Sequence, residues 1–73
     1  MRTLLNVPNG EWARLASVGE RLRSRLLKYG LHLGDRVRVL RSAPLGGPLL
    51  VEVNGREIAV GRELAEKILV EME

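Results

Sequence analysis

Few side chains in this sequence could carry covalent or metal chemistry. There is one histidine, His32, no cysteine, and nine carboxylates spread along 73 residues. Nucleophilic catalysis needs a hydroxyl or thiol beside a base, and none of Ser17, Ser24 and Ser42 has a base partner close in sequence. Acid–base work by paired carboxylates needs burial to shift their ionisation. Here the carboxylates are scattered, several of them at alternating positions where they solubilise an outer face. No enzyme is expected. A metal site needs several ligands in fixed geometry, and His32 has no second histidine or cysteine to work with. Glu11, Asp35 or Glu57 could join it only through coincidence of fold. His32 therefore reads as an exposed loop residue, and no cofactor or resident metal is expected.

Binding chemistry is better represented. Ten of the twelve basic residues are arginine, the net charge is +3 and the pI about 10.2. Guanidinium groups suit planar carboxylate or phosphate contacts. Arg21, Arg25 and Lys28 recur at helical spacing, one position before Leu22, Leu26 and Tyr29, so a basic stripe runs beside an apolar one. Such a stripe is either a solvated face or an electrostatic docking surface. A nucleic-acid reader would pair the charge with stacking aromatics. Only Trp12 and Tyr29 are available, and Tyr29 falls on the apolar side. Nucleic acid is accordingly not expected as the partner, although a small basic nucleic-acid-binding barrel is the runner-up reading. A groove for proline-rich peptides needs an aromatic lining, which two aromatics cannot build.

The elements that must position these residues follow from periodicity and turn chemistry. Pro8-Asn9-Gly10 marks a turn, and residues 11–16 alternate as a first strand with Ala13 and Leu15 inward and Trp12 outward. Ser17 and Glu20 have capping-box spacing ahead of a helix that ends at Gly30. Leu33-Gly34-Asp35 turns the chain into "RVRVLR", with Val37 and Val39 inside and Arg36 and Arg38 outside. Leu49, Val51 and Val53 share one face of the next strand, leaving Leu50 outward, and Asn54-Gly55 is a type I′ hairpin signal. The return arm carries Ile58 and Val60. "RELAEK" can make one helical turn, and "ILVEM" closes as a last strand.

The expected fold is mostly β: a small antiparallel barrel of about five strands with one short helix after the first. Residues 1–73 leave room for one domain and one core. No apolar run approaches the ~20 residues of a membrane span, and the start "MRTLLNVPNGEW" lacks the pattern of a signal peptide. A cytoplasmic protein, at most peripheral to the inner membrane, is expected.

The stretch "RSAPLGGPLL", residues 41–50, interrupts the two alternating segments "RVRVLR" and "LLVEV". Gly46-Gly47 is not a phosphate cradle, since no lysine-serine pair or helix follows. The prolines stiffen both ends and the glycines permit the reversal. Leu45 at the tip and the outward Leu50 are not accounted for by turn formation. They either cover the barrel end or form an apolar contact patch beside Arg38 and Arg41; for Leu45, packing against the barrel is the expectation.

The ordered segments "RLLKYGLHLGDRVRV", "APLGGPLLVEVNGREIAV" and "AEKILV" resemble the FeoA family over about residues 4–70. The most specific pieces are Arg25-Leu26 with Gly30-Leu31 and Gly34, followed by Ala43-Pro44-Leu45-Gly46 with Pro48. The extra residue in Pro8-Asn9-Gly10, and Tyr29 in place of leucine or methionine, are mild departures. The resemblance implies a single SH3-like domain acting as a cytoplasmic accessory of bacterial ferrous iron uptake. Its implied partner is the cytosolic region of FeoB, a GTP-binding iron transporter, with no more than weak contact to a metal ion. It also implies kinship with the SH3-like domain of iron-dependent repressors. This chain lacks their helix-turn-helix, so DNA regulation is not inherited; a stand-alone metal-sensing domain is the third reading. Trp12, Arg21, Arg25, Lys28, Leu45 and Leu50 are the residues expected to touch a partner.

Overall fold

A computed structural model describes residues 2–73. Six strands form one antiparallel sheet: β1 (Arg2–Thr3), β2 (Trp12–Val18), β3 (Arg36–Ser42), β4 (Leu49–Val53), β5 (Arg56–Val60) and β6 (Ile68–Met72). Their spatial order is β1-β6-β2-β3-β4-β5. The extents, 28 × 26 × 24 Å, are nearly equal, so the sheet is coiled around its core rather than laid flat. Two bulges help it coil. Ala16 is the extra residue between the Leu15↔Val70 and Ser17↔Leu69 pairs, and Leu40 between Val39↔Val51 and Arg41↔Leu50.

The strand count exceeds the expected five because Arg2 and Thr3 pair with Val70 and Leu69 at the edge of β6. Two residues are too few to show an alternation. The helix therefore follows the second strand. β2 also runs to Val18, two residues past its expected end, and this removes the expected capping box. Ser17 is a ladder residue opposite Leu69, and no side chain caps the helix. The chain instead enters through a 3-10 turn, Glu20–Leu22, closed by the Leu22 amide on the Gly19 carbonyl at 2.8 Å, and continues as α1 (Arg23–Lys28).

The helix ends as its sequence requires. Gly30 sits at φ +77°; its amide donates to the Leu27 carbonyl at 2.9 Å and that of Leu31 to Leu26 at 3.1 Å. This pair of bonds is a Schellman motif, and its associated apolar contact is supplied by Leu26 and Leu31, both buried. The last helical turn, α2 (Arg62–Ala65), buries Leu64 and Ala65. Leu15, Val37, Val39, Leu49, Val51, Val53 and Val60 complete an aliphatic core from the inward strand positions. Leu22, Tyr29 and Ile58 border it, half-buried.

Candidate interaction surface

Strand pairing builds one surface on the outer face of β2, β3 and β4. Trp12 lies opposite Arg38, which lies opposite Glu52, and Arg14 lies opposite Arg36. The Arg36 guanidinium carbon is 4.5 Å from the Trp12 ring centroid, and that of Arg38 is 6.0 Å away. Both distances suit cation–π attraction. Arg36 is held over the indole by Glu73, whose Oε1 accepts from Nη2 at 2.7 Å while Oε2 takes the Nε hydrogen. This two-point bond keeps the Glu73 carboxyl below its ordinary range and raises Arg36. Arg14 donates to the Gly34 carbonyl at 2.7 Å. Arg38 has only Glu52 at 4.0 Å, and its buried Nε has no partner. An indole overlain by an arginine does not offer that face for base stacking, which weakens the nucleic-acid reading.

The same outer face continues along β4 to Leu50, half-buried opposite Arg41 and Ala59. Beyond it, the β3–β4 loop is a rigid miniature. The Ala43 amide donates to the Pro48 carbonyl at 2.9 Å and the Gly47 amide to that of Pro44 at 3.2 Å. Leu45 and Gly46, the central residues of this turn, have φ +59° and +74°. Gly47 is required for closeness: a Cβ there would lie 2.7 Å from the Ala43 Cβ. Leu45 does not pack against the barrel as expected. It is fully exposed, with a relative accessibility of 103%, because the left-handed turn projects its side chain away from the sheet.

Arg21, Arg25 and Lys28 lie exposed on the helical segment, and none forms an ion pair among the described residues. The structure thus separates the six expected contact residues. Trp12 and Leu50 share the sheet face, with Leu45 at the end of its hairpin, while the basic stripe belongs to α1 and the turn before it. The helix's C-terminus abuts β5, where the Gly30 carbonyl meets Arg56 Nη2 at 3.5 Å. His32 is exposed; its amide donates to Asp35 Oδ2 at 2.9 Å, and its Nδ1 is 3.7 Å from the same oxygen. No group of three metal-ligating side chains gathers among the described residues.

Arg14, Arg36 and Leu27 were not among the expected contact residues. Alternation in "RVRV" already turned Arg36 and Arg38 outward, but only the β2–β3 register brings them to Trp12. Leu27, 57% exposed, lies off the i, i+4, i+7 face and gave no signal of its own.

A coiled antiparallel sheet with one short helix at its side, and a surface of arginines, one tryptophan and an apolar turn, defines a small SH3-like domain. The protein-family model of the FeoA domain matches residues 2–72, and the chain belongs to that family. A curated relative from Methanocaldococcus jannaschii, provisionally named Fe(2+) transport protein A, is 40% identical over 47 residues, 64% of this chain. The chain's match spans 55% of that relative's length. The solution structure of the FeoA protein from Chlorobium tepidum is 37% identical with a TM-score of 0.83, covering 97% of this chain and 70% of that one. The crystal structure of ScaR with bound Zn2+ is 28% identical with a TM-score of 0.86, covering all of this chain and 37% of its own.

Proposed function

We propose that this chain is a non-enzymatic cytoplasmic accessory of bacterial ferrous iron uptake that docks on the cytosolic region of a FeoB-type transporter and modulates it. Family membership and the iron(II) transport name of its relative support the iron assignment. The single observation that carries docking is Leu45. A non-glycine residue in the left-handed region costs roughly 1–2 kcal/mol, and full exposure means that Leu45 recovers none of it by packing in the free protein. Burying a leucine in a partner's pocket returns about 1.5–3 kcal/mol. The loop, braced by Pro44, Pro48 and its two internal hydrogen bonds, loses little conformational freedom on binding. Leu50 and Trp12 extend the contact along the sheet face.

The test is calorimetric titration of the chain into the purified cytosolic region of the same organism's FeoB, with and without a GTP analogue. Saturable, nucleotide-dependent binding is expected. Absence of binding in both states overturns docking on that region.

A further inference from the structure

The sheet face carries an ion pair whose acidic member stands outside the strand ladder. Glu73 follows β6, which ends with the Ala13↔Met72 pair. In the order β6-β2-β3 its side chain reaches past β2 to Arg36. Both of its oxygens engage that one guanidinium, through Nε and Nη2. The sheet builds the seat. The Trp12 ring, 4.5 Å from the guanidinium carbon, backs Arg36, and Arg14 stands directly opposite Arg36 on β2. Like charges facing each other across a ladder are destabilising, and neighbouring carboxylates relieve this. Glu71 lies opposite Arg14 on its other side. Glu73 is the second, held ionised by the Arg36 bond and further by the field of Arg14. The pair is superficial: the Arg36 side chain is 48% exposed and that of Glu73 35%. Ion pairs this exposed hold weakly, and Glu73 can leave without breaking a strand bond.

We propose that Glu73 is a built-in stand-in for an acidic residue of the partner protein, and that docking exchanges one carboxylate for the other on Arg36. In the free chain Glu73 covers the guanidinium fork. In the complex an aspartate or glutamate of the partner takes both bonds, and Glu73 swings into solvent. Two bonds are lost and two are made, so the exchange adds little affinity; it fixes register and selects for a partner with an acid at that place. Leu50 and Leu45, farther along, supply the apolar contact. Glu52, Glu57 and Glu71 lie on the same outer face, in rows with Arg38 and Arg14. They leave room for one carboxylate among the arginines but repel the repeated phosphates of a nucleic acid. The inference rests on the docking reading, of which it names the chemistry at the Trp12 end.

The experiment titrates the full chain, Glu73→Gln, Arg36→Gln and the double variant into the cytosolic region of FeoB, and follows the Arg36 Nε–H resonance of the isotope-labelled chain. Glu73→Gln should bind about two- to fivefold more tightly, since a weak internal competitor is gone. Arg36→Gln should bind about tenfold more weakly, and Glu73→Gln should add nothing once Arg36 is replaced. The Arg36 resonance should move in free Glu73→Gln and return toward its wild-type position when the transporter region binds. Both altered side chains are exposed, and circular dichroism checks that each variant keeps its fold. If the wild-type chain binds but Glu73→Gln binds no more tightly, or the resonance fails to return, the exchange is wrong while docking stands. If neither chain binds, docking on that region falls and the exchange falls with it. Return of the resonance on adding a single-stranded oligonucleotide or inorganic phosphate, at lower concentration than the transporter region, assigns the seat to phosphate and overturns the proposal.

Discussion

Two side chains show how conformation at one residue bears on function. Leu45 combines a backbone torsion that favours glycine with complete exposure of an aliphatic group. Leu45→Gly should therefore move two measurements in opposite directions. Stability should rise by about 0.5–1 kcal/mol, the relieved left-handed strain less the added entropy of the unfolded chain, while affinity for the transporter's cytosolic region should fall. A loss of both would mean that Leu45 packs in the free protein after all. Glu73 gives a pH-dependent signal. Its carboxyl is lowered from 4.5 by the bond from Arg36, so the interaction is fully present above about pH 4.5 and is lost as pH falls through the lowered value. Arg36 rests on Trp12, so tryptophan emission should change across that acidic window and should not do so in Glu73→Gln. An identical titration in the variant would separate the indole from this ion pair.

At the scale of elements, α1 is short and enters without a side-chain cap, so its order depends on the other end. Gly30 closes it at φ +77°, and a Cβ there would meet only the mobile tip of Arg56 at 3.0 Å. Gly30→Ala should then express chiefly the backbone penalty, about 1–2 kcal/mol, which thermal unfolding would read as a drop of roughly 4–8 °C per kcal/mol in a domain of this size. An unchanged midpoint would show that the helix end carries no such strain. The helix was legible because its apolar residues at i, i+4 and i+7, Leu22, Leu26 and Tyr29, and its closing glycine are local signals. The Asn54-Gly55 hairpin was legible for the same reason, with φ +50° and +78° at its two central residues. The capping box failed because a strand ladder competed for Ser17: the bulge at Ala16 carried β2 onward to pair with β6, a long-range event that local spacing does not register.

For the whole molecule, the coiled sheet draws its core from every strand except the two-residue β1, and from both helices. Such a core leaves no segment with an independent interior, so residues 1–73 should unfold in one transition, with tryptophan emission and far-ultraviolet dichroism coincident. Separate midpoints would divide the chain. The sequence by itself determined the mostly β character, the inward valines and leucines, the turns, the basic stripe and the family resemblance. Each of these is written in torsional preference, period or ordered motif. Only the tertiary structure decided that Arg2 and Thr3 form an edge strand, that Arg36 and Arg38 gather on Trp12, that Leu45 points into solvent and that Glu73 reaches past β2 to Arg36. Those outcomes depend on which strands become neighbours and in what register, a choice made by burial of the whole core rather than by any short stretch of chain.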